Sequence, residues 1–146
     1  MDIRTHISTS AFLGGALYAI AQSPQIAIFA FLGGVFIDID HVFDFLIFSD
    51  DKISIKNIFL WCDEGKWKKI TLIFHSYELY LILALLTYYF PYKALIGILF
   101  GTGLHLIVDQ IGNRYINKKF CLSVFFYFLI YRIYVGFHKN QLRFDR

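Results

Sequence analysis

Phe36-Ile37-Asp38-Ile39-Asp40-His41-Val42-Phe43-Asp44 lies inside an apolar run, Ile26 to Phe48, that is long enough to cross a bilayer. A carboxylate at the centre of a membrane helix costs roughly 2.5–3.5 kcal/mol on insertion scales. Three aspartates and a histidine therefore make a poor lipid-facing surface. They require partners from elsewhere in the chain, and the search for those partners decides the fold.

Composition agrees with a membrane setting. The 146 residues are 58% hydrophobic, 20% aromatic and 17% charged, against about 25% charged for a soluble domain. The apolar excess falls in blocks, which predicts an all-α integral membrane protein with one domain over residues 1–146. A net charge of +3, dispersed along the chain, argues against a nucleic-acid partner. Cys62 and Cys121 stand far apart with no CxxC spacing, so neither a disulfide framework nor a zinc ribbon is indicated. Asp2 occupies what would be the basic region of a signal peptide, so the first apolar segment is expected to remain as a span.

The blocks predict a four-helix transmembrane bundle with spans at about 7–21, 26–48, 70–90 and 94–111. Gln22-Ser23-Pro24-Gln25 and Pro91-Tyr92-Lys93 are the turns. Ala-Phe-Leu-Gly-Gly occurs at 11–15 and again at 30–34, and Gly97 and Gly101 stand at GxxxG spacing. Gly14, Gly15, Gly33 and Gly34 are expected to let two helices approach closely. Residues 49–70 carry five lysines and enough apolar residues for a short helix on the membrane surface, with Trp61 and Trp67 as interfacial anchors. The run 120–137 is apolar but carries Arg132, so it is either an interfacial helix or a fifth span. A crossing would send Lys139, Arg143 and Arg146 to the side poor in positive charge, which favours the interface. Arg4, the five lysines, Arg114, Lys118 and Lys119 fall on one side and only Lys93 in the turns of the other. The positive-inside rule then predicts a cytoplasmic N-terminus and long loop in a plasma membrane.

With alternating helix direction, the intramembrane polar residues gather in the cytoplasmic half. His6 opens span one, Asp38, Asp40, His41 and Asp44 lie late in span two, His75 and Glu78 begin span three, and His105 and Asp109 end span four. Asp38–His41 and His75–Glu78 are i,i+3 pairs and His105–Asp109 is i,i+4, spacings that share a helix face. Three helices thus each offer one imidazole and one carboxylate to a common interior. The pattern echoes the Glu-x-x-His logic of bundle-core dimetal sites. It predicts His6, Asp38, His41, His75, Glu78, His105 and Asp109 as ligands of one or two divalent ions, zinc first, manganese or iron next. Asp38, Glu78 and Asp109 would balance two such ions and one hydroxide. Asp40 points some 160° from Asp38 on a regular helix; either the helix is distorted there or Asp40 acts from behind the ligands. Asp44 reads as solvated near the surface, His138 as a surface histidine, and Ser76 as bonded to the helix backbone rather than nucleophilic.

His6, Asp38-Ile39-Asp40-His41 after a Gly-Gly span, His75-Ser76 and Gly103-Leu104-His105-Leu106-Ile107-Val108-Asp109, in this order and spacing, resemble the prokaryotic inner-membrane metal-dependent hydrolases that LexA regulates in some species. The resemblance covers most of residues 1–113, and Ile37 stands where that family usually has Pro. It implies a small multispanning inner-membrane protein with a metal-hydrolase site.

The functional expectation is a metal-dependent hydrolase acting on a lipidic ester, a phosphoester first, from the cytoplasmic leaflet. Asp40, or Glu78 if it is not a ligand, would accept the proton from water activated by the metal. Lys66, Lys68, Lys69 and Arg114 would hold an anionic headgroup. The alternatives are metal binding or transport without hydrolysis, and a structural partner in envelope assembly.

Overall fold

The computed structural model describes residues 3–113 and 122–142. Arg114, Lys118, Lys119, Cys121, Arg143 and Arg146 lie outside the described residues. The chain is all-α, with no strand among the described residues. Its helices are α1 (Ile3–Ala21), α2 (Pro24–Phe36), α3 (Ile39–Phe48), α4 (Ile55–Glu64), α5 (Tyr77–Tyr89), α6 (Lys93–Ile111) and α7 (Leu129–Tyr134). Two 3-10 turns, Val124–Tyr127 and Lys139–Gln141, flank α7.

Proline at the first turn starts α2, where its missing N–H costs nothing. α2 then packs against α1 and, most extensively, α6. Small residues make that closeness possible. A Cβ on Gly97 would come within 2.6 Å of the Ile26 carbonyl, and one on Gly33 within 2.9 Å of the Ile98 backbone. Gly101 faces Ala30 and Gly34 faces Ser10 with still less room. The 97–101 spacing therefore marks a real helix contact. Gly14 meets the Ala27 carbonyl as expected, whereas Gly15 faces open space.

The second expected span is broken. Ile37 and Asp38 leave the helix between α2 and α3, and the His41 N–H bonds the Asp38 carbonyl one residue early, at 3.1 Å. The third is shortened: residues 70–76 form an irregular segment, and α5 begins only at Tyr77, capped by the Ser76 hydroxyl. At 13 residues α5 is roughly 20 Å long, short of the ~30 Å hydrocarbon core. Among the described residues, two helices are long and apolar enough to cross a membrane, Pro24–Phe48 counted through its break and Lys93–Ile111. Two of the four expected spans meet that criterion among the described residues. α1 has the length, but Arg4, Thr5, His6, Ser8, Thr9 and Ser10 dilute its first half. α7, with six residues, is too short to cross.

The segment 49–70 does contain a short helix, α4, capped by the Ser54 hydroxyl on the Asn57 N–H and stopped by Gly65 in the left-handed conformation. Its tryptophans are not anchors at a membrane face. Trp61 and Trp67 are buried, Trp61 edge-on to Phe45 at 5.7 Å and 6.3 Å from Trp67. With Ile70, Leu72, Phe126, Tyr127 and Leu142 they form an apolar core at one end of the bundle. The C-terminal segment closes this core by lying across residues 69–75.

Candidate metal centre

The break at Ile37–Asp38 resolves the position of Asp40. On a regular helix Asp38 and Asp40 would diverge, but here they grip opposite nitrogens of one ring. Asp38 Oδ1 lies 3.3 Å from His75 Nε2, and Asp40 Oδ2 lies 3.1 Å from His75 Nδ1. His41, in the first turn of α3, brings its Nε2 to 3.6 Å from Asp38 Oδ1.

From α6, His105 Nε2 stands 3.1 Å from His75 Nε2 and 3.4 Å from Asp38 Oδ1. Asp109, one turn further, places Oδ2 3.5 Å from His75 Nε2 and Oδ1 3.0 Å from His6 Nε2. The His6 ring, carried in by α1, stacks on His105 with centroids 3.9 Å apart. Six of the seven expected ligands thus converge. They fall into two adjoining groups, His6–His105–Asp109 and Asp38–His41–His75, each with potential ligand atoms within 4.8 Å of one another.

The chemistry of this donor set fits a cation. His105 Nδ1 is 2.7 Å from the Gly34 carbonyl, and His75 Nδ1 faces Asp40. Both partners are acceptors, so in neutral rings the proton sits on Nδ1 and a lone pair on Nε2. Two such lone pairs then face each other at 3.1 Å, with carboxylate oxygens of Asp38 and Asp109 beside them. Acceptors this close repel unless a proton or metal ion lies among them. His6 Nδ1 and Asp40 Oδ1 are buried with no hydrogen-bond partner among the described residues. The cluster is sealed except at Asp38 and His41, whose side chains are 21% and 22% exposed.

Glu78 is not part of it. The i,i+3 relation to His75 assumed one helix through both, but α5 starts between them. Glu78 turns to α7 instead and accepts the Leu129 N–H at 2.9 Å and the Ile130 N–H at 3.1 Å, the orphan donors of that helix's first turn. Asp40 also differs from its expected role as base to the water: it holds the Phe74 N–H at 3.0 Å and the back of His75. Asp44 is buried rather than solvated, and accepts from the Thr71 N–H at 2.8 Å, the Leu72 N–H at 3.3 Å and the Thr71 hydroxyl. Ser76 caps α5 and His138 is exposed, both as expected.

Arg132 is the residue that sequence reading missed. It is fully buried, and its guanidinium donates to the carbonyls of Thr71 at 2.6 Å, Leu72 at 2.7 Å and His75 at 3.2 Å. Burial draws its pKa down to about 10, which leaves it charged at neutral pH. Asp40, Asp44 and Arg132 together hold residues 71–75 in a turn that includes Leu72 at φ 37°, a conformation costly for a β-carbon-bearing residue. The turn presents His75. Its one advance signal was a lone arginine in an aromatic run.

Of the basic residues expected to meet a headgroup, Lys66 pairs with Glu64 at 2.8 Å. Lys68 and Lys69 are exposed and adjoin Trp67, whose ring lies 6.4 Å from that of His41. No family model matches the chain, and neither the curated proteins nor the solved structures yield a match.

Proposed function

We propose that this chain is a metal-dependent hydrolase of the plasma membrane, working at the cytoplasmic leaflet on a lipidic ester, with a phosphoester favoured. The observation that carries the reading is the pair of inward-facing Nε2 atoms of His75 and His105, 3.1 Å apart and flanked by carboxylates. His6, Asp38, His41, His75, His105 and Asp109 would hold one or two divalent ions, with zinc best suited to this imidazole–carboxylate set. A bound ion there would supply activated water and charge stabilisation for an ester oxygen.

The protein residues divide the remaining work. Asp40 keeps the His75 proton on Nδ1, and the Gly34 carbonyl does the same for His105. Asp38 and His41 form the accessible flank, and substrate approaches there. Lys68 and Lys69, exposed and next in sequence to Trp67, would attract an anionic headgroup. The membrane setting is supported by exposure. Only 22% of the most apolar window of Pro24–Phe48, and 33% of that of Lys93–Ile111, is buried, whereas a soluble core helix is mostly covered. The lysine distribution supports a cytoplasmic face for the cluster. Transport is less well supported, because the groove between α2 and α5 beyond the cluster is apolar.

The test is hydrolysis by purified protein of a panel of phospholipids and polyprenyl phosphates. Expected is product release that chelation abolishes, zinc or manganese restores, and His105→Ala eliminates. Metal-loaded protein that cleaves none of the panel would overturn the hydrolase reading.

A further inference from the structure

α2 and α5 both lean on α6 and leave a groove between them of about 470 Å³. Phe29 and Phe36 line one wall, Leu83 and Leu86 the other, and Ile98 the floor. The end nearest the metal ligands is formed by Ile37 and Phe74, the residues immediately before Asp38 and His75. From Ile37 back to Phe29, and from Leu79 on to Leu86, the groove runs seven to eight residues, roughly 11 Å at 1.5 Å per residue. That is within one leaflet's share of a hydrocarbon core about 30 Å thick.

We infer that this groove binds a single acyl chain of a membrane lipid, with the ester end at Ile37 and Phe74 beside the Asp38–His41 flank. The inference rests on the hydrolase reading and narrows its substrate to an acyl-chain-bearing ester. Three features select this occupant. The walls are almost wholly apolar while the groove's end abuts a cluster of acids and imidazoles, the polarity order of a lipid from tail to head. The volume lies in the range of small-molecule sites, about 300–1,000 Å³. Phe36 and Phe74 are 61% and 46% exposed, so the groove opens sideways to lipid.

The experiment uses the full-length protein in phosphatidylcholine vesicles doped with a phospholipid carrying a diazirine on one acyl chain, with crosslinks mapped by mass spectrometry. Label placed near the ester is expected on Ile37 and Phe74, and label near the chain end on Phe29 and Leu86. Leu83→Trp and, separately, Leu86→Trp fill the groove and should abolish labelling of Phe29 and Ile98. Leu85→Trp, on an exposed residue outside the groove, should leave it intact. Helical circular dichroism is measured in every sample as the check on folding, and bound metal as the separate check on the hydrolase reading. Labelling of Phe12 and Leu85 equal to that of Phe29 and Ile98 would overturn the inference, as would groove labelling that survives both tryptophans. Groove labelling in protein that binds no metal would leave the lipid site standing and remove the hydrolase reading. Metal binding without groove labelling would do the reverse.

Discussion

Arg132→Met removes a cation that touches no proposed ligand side chain, yet it should weaken metal binding. In the native chain the guanidinium holds three carbonyls, at 2.6, 2.7 and 3.2 Å, two of them through one nitrogen and the third through the other. Hydrogen bonds to a charged group contribute about 1.5–3 kcal/mol each, so the gross loss of three is roughly 4.5–9 kcal/mol. The 71–75 turn would open to water rather than bear that cost, and Leu72 would relax from its positive φ. His75 would then lose its fixed aim. Loss of such outer support costs about 10–100-fold in metal affinity, or about 1.4–2.7 kcal/mol. Arg132→Lys keeps the charge but not the fork and should fall between. The assay is metal retention by detergent-purified protein against a graded chelator, together with hydrogen exchange over residues 70–76. Wild-type affinity with undiminished exchange protection in Arg132→Met would refute the reasoning.

Three further outcomes follow from the geometry. Glu78→Gln should bind metal like the wild type, since the carboxylate caps α7, while weakening that cap by about 0.5–2 kcal/mol; loss of metal on elemental analysis would return Glu78 to the ligand set. Asp40→Asn keeps the shape but offers His75 Nδ1 a weaker, uncharged acceptor, so affinity in the chelator assay should drop about 10–100-fold. An unchanged affinity would show that Asp40 does not orient the ring. Gly101→Ala drives a methyl into the Ala30 carbonyl and should destabilise the α2–α6 contact by about 1–3 kcal/mol, read as earlier thermal unfolding in detergent, whereas Gly15→Ala should be neutral. Equal melting of the two variants would contradict this packing.

Apolar runs and turn residues were enough to locate α1, α6 and the start of α2, because local periodicity and burial agree there, but they read α2 and α3 as one span, 26–48, across the break at Ile37–Asp38. The same reasoning placed His6, Asp38, His41, His75, His105 and Asp109 at one end of the bundle. It failed at residues 70–76. Their sequence is apolar and reads as helix, but their backbone groups are claimed by Asp40, Asp44 and Arg132, which lie 27 to 61 positions away. Helical spacing has no meaning across such a turn, so Glu78 was misassigned with it. Trp61 and Trp67 fit an interfacial pattern equally well by sequence; only the fold of α4 onto Phe45 buries them.

The central claim is that imidazoles and carboxylates from α1, the α2–α3 break, α3, α6 and the 71–75 turn enclose a metal ion. Elemental analysis of protein purified without added metal or chelator tests it most directly, with Asp38→Asn/Asp109→Asn alongside. The account predicts one or two equivalents of a divalent transition metal per wild-type chain and near none in the double variant. Metal-free wild-type protein that takes up no zinc, manganese or iron on titration would contradict it.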